Sequence, residues 1–229
     1  MAGYRYELKY MVSEAEAELL AIRLRLTMDI DPHAVKNNGT YFIRSLYFDD
    51  PWDSAVEDKV AGVEFRDKFR IRIYNLSPKA IKLERKHKNG QFIKKDSLKL
   101  SKAECDAMAA GNYAFMLKRK EPIAREFYGE FVTRGLKPKV LVDYDREPFI
   151  YNVQNVRVTI DRDIRTGMRC TDLFSAQAPT YPATEFFGQC IVEVKFNEYL
   201  PGYIRSLLQM NNSVHMAASK YLYCRQYNV

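Results

Sequence analysis

Residues 66–74 read Arg-Asp-Lys-Phe-Arg-Ile-Arg-Ile-Tyr. Polar and apolar side chains alternate here with the period of two expected of a strand with one buried face. Arg66, Lys68, Arg70 and Arg72 share one face, and Phe69, Ile71 and Ile73 share the other. The same alternation recurs along the chain, and this constrains the fold more than any other feature. Strands are predicted at residues 6–10, 41–48, 66–74, 80–88, 91–95, 139–146, 157–161 and 190–196. Asn89-Gly90 marks a hairpin turn, and Ser77-Pro78 a second turn. Helices are fewer. Ser13 with Glu16 reads as a capping box before a helix at 17–26, and Ser101 with Glu104 repeats the pattern, with Gly111 suited to that helix's end. A third helix is predicted at 123–134, stopping near Gly135, and the C-terminus is predicted helical at 203–210 and 214–225. Loops are expected at 32–39, 51–54 and 175–188. Without repeat or linker, residues 1–229 are expected to form one domain.

The charged side chains recur on the same face of successive strands. Lys9, Lys68, Arg70, Arg72, Lys82, Lys86, Lys95, Arg146, Arg157 and Lys195 all face away from Val, Ile or Phe. Any one stripe could be an ordinary solvated surface. Their recurrence points to a closed antiparallel barrel that gathers them in its lumen, with helices over the apolar outer face. An empty cationic lumen repels itself, so it implies a polyanion. Arg forks and Lys ammonium groups suit the closely spaced oxygens of a phosphate chain. Glu7, Glu84 and Glu193 share these faces. Carboxylates among phosphates imply an intervening hard cation, Mg²⁺ or Mn²⁺, while simple cross-strand ion pairing is the plainer explanation for any one of them.

Composition narrows the classes. The chain has 229 residues, formal net charge +7 and 47% hydrophobic residues, with a pI of about 9.1. This is globular composition with a preference for anionic partners. No apolar run approaches the roughly 18 residues that span a bilayer, and Glu7, Glu14, Glu16 and Glu18 interrupt any signal-peptide layout, so a cytoplasmic location is expected. Cys105, Cys170, Cys190 and Cys224 lie far apart and read as reduced thiols, not a disulfide or zinc framework. His33, His87 and His215 form no metal motif. The sixteen Tyr and thirteen Phe mostly alternate within strands as core residues do, so no base-stacking platform and no nucleic-acid partner is expected.

Several segments carry a family resemblance. Residues 5–10 (RYELKY), 45–49 (SLYFD), 68–74 (KFRIRIY), 83–86 (LERK), 144–146 (YDR), 156–161 (VRVTID), 193–196 (EVKF) and 219–221 (SKY) resemble, in order over nearly the whole chain, the VTC domain of polyphosphate polymerases, a branch of the triphosphate tunnel metalloenzymes. The resemblance implies an α+β fold built on an antiparallel eight-stranded β-barrel tunnel with flanking helices. It implies transfer of the ATP γ-phosphate to a growing polyphosphate chain. Lys9, Arg70, Arg72, Lys86, Arg146, Arg157 and Lys220 would line the phosphate path, joined by Lys94 or Lys95. Tyr144 and Ser219 would donate hydrogen bonds, and Glu193 would hold the metal.

A terminal phosphate oxygen is already an ionised nucleophile, so the absence of a Ser, Cys or His nucleophile is expected. Hydrolases of the same superfamily begin with a Glu-x-Glu-x-Lys strand. Arg5 stands at the first of those positions here, which favours the polymerase version. A triphosphatase on the same fold and a non-catalytic polyphosphate-binding module remain the alternatives. The phosphate-sensing and membrane regions of the eukaryotic complex are not recognised in the sequence, so passage of product across a membrane would need a membrane-protein partner of unknown identity.

Overall fold

A computed structural model describes residues 5–90, 92–183, 187–209, 214–215 and 218–226. Among these, eight strands exceed two residues: β1 (Tyr6–Ser13), β3 (Tyr41–Asp49), β4 (Phe65–Tyr74), β5 (Ser77–Asn89), β6 (Phe92–Leu100), β7 (Lys137–Tyr151), β8 (Val156–Thr166) and β10 (Gln189–Phe196). Two-residue strands β2 (Asp29–Ile30), β9 (Tyr181–Pro182) and β11 (Val214–His215) supplement them. The helices are α1 (Glu14–Arg25), α2 (Pro32–Val35), α3 (Ser54–Val60), α4 (Lys102–Ala109), α5 (Pro122–Thr133), α6 (Gly202–Leu207) and α7 (Lys220–Arg225). The α+β class with eight main antiparallel strands and flanking helices is the one expected from the sequence.

The chain divides into two compact units, each assembled from three chain segments. The first comprises residues 1–42, 144–164 and 182–220, with strand order β11-β1-β10-β8 and then the second half of β7. Its β1–β10 and β10–β8 pairings are antiparallel. Val156, Val158, Ile160, Val192 and Val194 point to one face and pack with Leu20, Ala21, Leu24 and Ile204 of α1 and α6. The second unit comprises residues 43–143, 165–181 and 221–229, with the first half of β7 followed by β3-β4-β5-β6. Phe69, Ile71, Ile73, Ile81 and Leu83 form its core with Phe127 and Phe131 of α5 and Met108 of α4.

Local chemistry places these elements. At α1, the Glu16 amide donates to Ser13 Oγ at 3.3 Å, and the Ser13 amide donates back to Glu16 at 3.2 Å. Ser101 and Glu104 do the same before α4. Both capping boxes satisfy amides that the first helical turn leaves without carbonyl partners. Gly111 and Gly135 follow α4 and α5 with φ of +80° and +64°, a left-handed conformation that costs glycine little.

Several expectations fail locally. The β4–β5 turn falls at Asn75-Leu76, with φ of 49° and 53°, and Ser77-Pro78 already belongs to β5. Two consecutive left-handed residues match the right-handed twist of the flanking strands. The strand pairing therefore imposes on Leu76 a conformation its own propensity opposes. Helix α2 lies inside the expected 32–39 loop, started by Asp31, which accepts from the His33 amide at 2.9 Å with Pro32 at the first turn. Helix α3 follows the 51–54 loop and was not anticipated. Within the expected 214–225 helix, 214–215 pairs with β1 and only 220–225 is helical. The expected positions 91, 184–186, 210, 216 and 217 lie outside the described residues.

Phe131 is fully buried, edge-on to Phe48, Phe69 and Tyr113. Phe131→Ala should cost about 3–5 kcal/mol through lost burial and a residual cavity, read as a shift of the urea unfolding midpoint. A change below about 1 kcal/mol would mean this cluster does not hold the second unit together.

Candidate phosphate-binding site

The face of each sheet opposite its core carries the charges. In the first unit, register places Glu7, Lys195 and Arg157 in one row across β1, β10 and β8, and Lys9, Glu193 and Thr159 in the next. Lys9 Nζ lies 3.0 Å from Glu7 Oε1 and 3.4 Å from Glu193 Oε2, and Lys195 Nζ lies 3.4 Å from Glu7 Oε2 and 2.6 Å from Glu193 Oε1. Two ammonium groups thus bridge the same two carboxylates in a ring of alternating charge. Burial opposes the Lys9 charge, yet Glu193 and Glu7 outweigh it and hold its pKa above the ordinary lysine value.

A second set centres on Asp161, which is fully buried. Arg146 donates to it bidentately, Nε to Oδ1 and Nη2 to Oδ2, both at 2.7 Å. Lys220 Nζ, at the start of α7, lies 2.6 Å from Oδ2. Lys220 and Arg146 also lie over the Tyr144 ring, at 4.7 Å and 5.3 Å from its centroid. Burial disfavours the Asp161 charge, but Arg146 and Lys220 overcome that and hold its carboxyl below the usual range. Arg157 donates to Tyr41 Oη at 2.9 Å and pairs with Asp31 at 2.8 Å. Ser219, half-buried, precedes Lys220.

In the second unit Glu84 plays the part of Asp161. Arg70 Nε and Nη2 donate to Glu84 Oε2 at 2.9 and 2.8 Å, and Lys95 Nζ lies 3.0 Å from Oε1. Arg72 approaches to 3.9 Å. Burial opposes its ionisation, but Arg70, Arg72 and Lys95 prevail and hold the carboxyl far below the usual range. The flanking rows contain no acid. Lys68, Lys86 and Lys95 stand abreast on β4, β5 and β6 on one side of the Glu84 row, and Arg72, Lys82 and Lys99 do so on its other side.

Aromatic groups back this set. Arg70 Nη1 donates to Tyr47 Oη at 2.9 Å, and Tyr47 stacks on Tyr221 with ring centroids 4.8 Å apart. Tyr221 donates to buried Asp49 at 2.6 Å, and Lys68 lies 5.4 Å from the Tyr221 ring centroid.

The structure therefore groups Lys9, Lys195, Glu7, Glu193, Arg146, Arg157, Tyr144 and Lys220 in the first unit. It groups Lys68, Arg70, Arg72, Lys82, Glu84, Lys86 and Lys95 in the second. Lys94 is a correction. It pairs in register with His87 on the core-side face and binds Asp96 at 3.2 Å. Strand parity decides between the adjacent lysines, and Lys95 is the one beside Glu84. Asp161, Tyr47, Asp49 and Tyr221 were not singled out from the sequence. Parity could have found Asp161, since it shares the Arg157 face of β8, but nothing local connects Tyr47 with Tyr221.

Among the described residues, no group of three or more His, Cys, Asp or Glu is placed to hold a metal, and Glu84 belongs to the second unit's set. Glu7 and Glu193, here paired with Lys9 and Lys195, are the acids that would hold a cation. They are hard oxygen donors on adjacent strands, and the hydroxyl of Thr159, in register with Glu193, is buried with no hydrogen-bond partner. Mg²⁺ and Mn²⁺ commonly take one or two protein carboxylates and fill the remaining positions with water and phosphate. The thiols offer nothing comparable: burial pushes Cys105 up to about 12 and Cys190 to about 11, so they remain protonated and unreactive near neutral pH.

In each unit the sheet has a helix-packed apolar face and an opposite face lined with cations, the class of surface that suits a polyanion. The chain belongs to the VTC domain family, whose model matches residues 4–228. Its fold is similar to a putative adenylyl cyclase from Hippeastrum described as having a dominant triphosphatase activity, with 15% identity, TM-score 0.58, and 99% of this chain and 97% of that one covered. It is also similar to a putative adenylate cyclase from Bacillus halodurans, with 13% identity, TM-score 0.52, and 84% and 80% covered. No curated protein matches the chain.

Asp161 and Glu84 titrate in the native state below their unfolded values of roughly 4. Their contribution to stability is therefore complete above the unfolded pKa and is lost as pH falls through the lower folded values. Stability should drop steeply below about pH 4, with a shallower loss in Glu84→Gln. Asp161→Ala should cost about 3–5 kcal/mol at neutral pH by leaving Arg146 and Lys220 without their shared carboxylate. Urea unfolding from pH 2 to 8 measures both, and an acid profile unchanged in Glu84→Gln would remove Glu84 from the account.

Proposed function

We propose that this protein is a phosphotransferase of the polyphosphate polymerase type, transferring the γ-phosphate of ATP to the end of a polyphosphate chain with Mn²⁺ or Mg²⁺. The observation that carries this reading is the row Lys68-Lys86-Lys95. Three lysines stand in register on neighbouring strands, Lys95 also paired with Glu84, and such a gathering of cations favours a multiply charged anion across it. Family membership over nearly the whole chain supports a phosphate-chain substrate.

The terminal oxygen of the acceptor is the nucleophile. It forms a bond to the γ-phosphorus as the bond to the β-γ bridging oxygen breaks, and ADP leaves. No proton transfer is required, so positioning and charge neutralisation supply most of the acceleration. Arg70 and Arg72 are the forked donors for equatorial oxygens, held in place by Glu84. Lys86 and Lys68 add point charges, while Arg146 and Lys220 do the same in the first unit from their anchor on Asp161. Glu7 and Glu193 would hold the divalent cation, which when bound neutralises phosphate charge. Tyr144, Arg157, Lys9, Lys195, Lys82 and Ser219 complete the proposed contacts.

A second reading is a triphosphatase, favoured by the fold likeness to the Hippeastrum protein. The same cations would serve with water as acceptor.

Purified protein incubated with ATP and Mn²⁺, with and without short polyphosphate, distinguishes these. Lengthening chains with ADP release support the polymerase. Free phosphate without chains supports the triphosphatase, and binding without either product supports a polyphosphate-binding module. Arg70→Ala should lower kcat/KM about 100- to 1,000-fold with little loss of fold, since Glu84 keeps Arg72 and Lys95. Full activity in that variant would overturn the site.

A further inference from the structure

The β5–β6 hairpin tip carries a surface that the phosphate site does not use. The Gly90 amide donates to the Glu64 carbonyl at 3.3 Å, bringing residues 63–65 against the turn. Phe65, Asn89 and Phe92 stand in one register row at the ends of β4, β5 and β6. Phe65 and Phe92 are 59% and 54% exposed, with Val60 and Val63 also exposed nearby in sequence. They lie on the face opposite Lys68, Lys86 and Lys95. Segments 59–68 and 86–95 together hold seven Lys or Arg against Glu64 and Asp67. On the Phe65 and Phe92 face, the next row is Asp67, His87 and Lys94: Asp67 lies 2.6 Å from His87, and the 64%-exposed Lys94 side chain lies 3.2 Å from Asp96. Arg66 and Lys88 pair on the other face.

We propose that this tip docks onto an anionic lipid bilayer, inserting Phe65 and Phe92 at the interface. The order of side chains along the strands fits that partner. Two aromatic rings stand in the end row; Arg66 and Lys88 follow one residue behind on the other face, and Lys94 two residues, about 7 Å, behind on the same face. Rings would then sit at the acyl boundary while Lys88, Lys94 and Arg66 reach the headgroup phosphates. The excess of Lys and Arg over acids in these segments complements an acidic leaflet. Arg66 and Lys88 share the face of Lys68 and Lys86 but lie outside the contacts assigned to phosphate, so docking stands independently of the reaction assigned to that face.

Full-length protein is sedimented with phosphatidylcholine vesicles, with and without about 30% phosphatidylserine. Binding should be at least about tenfold stronger to the anionic vesicles and should weaken in high salt. The double variant Phe65→Ser with Phe92→Ser keeps the same net charge and should bind about tenfold less, with ATP turnover unchanged. A reporter with Trp52→Phe and Phe92→Trp should shift its emission to the blue on anionic vesicles and be quenched by brominated acyl chains. Equal binding by the double-serine variant would show charge adhesion alone and overturn the proposal. So would an unquenched reporter, or wild-type protein that does not bind anionic vesicles.

Discussion

Buried carboxylates surrounded by cations organise the charged faces of this protein. A cation-rich sheet face is unstable unless its like charges are interrupted, and an acid alone there would be stranded. Glu84, Asp161 and the Glu7–Glu193 pair each solve both problems. Around Glu84, Arg70, Arg72 and Lys95 lose their freedom and gain a common direction. Asp161 does the same for Arg146 and Lys220, although those two residues come from a strand and a C-terminal helix 74 positions apart in the chain.

The carboxylates do not neutralise these faces. Lys68, Lys86 and Lys95 remain abreast in register, and Arg72, Lys82 and Lys99 repeat the arrangement. Native proteins ordinarily place opposite charges, not like ones, directly across strands. The combination gives oriented donors on a face rich in cations, an arrangement suited to a polyanion. Rigidity comes from below: the opposite faces of the same strands are packed by α5 and α4 in one unit and by α1 and α6 in the other. A side chain on β4 is therefore either core or site, with strand parity deciding which.

Legibility in the sequence followed the range of the interactions. Capping boxes at Ser13 and Ser101 act over three residues, and both were readable. Alternation on β4, β5, β8 and β10 reflects burial of one whole face, so it survived into sequence as a pattern. The β4–β5 turn was misplaced because pairing of the two strands, not the Ser77-Pro78 dipeptide, put Asn75 and Leu76 in the left-handed region. Helix α2 was missed because four residues are too few to show a helical period.

The sequence by itself determined the alternating strands, the two-faced sheets, the net positive charge and the family. These are local or cumulative properties, carried by residue type and spacing. Tertiary structure alone decided which acid holds which base: Asp161 with Lys220, Glu84 with Lys95 and not Lys94, Asp49 with Tyr221. Each of these pairs joins residues from different elements, and their distances depend on strand register and helix placement, for which no stretch of sequence carries a local signal.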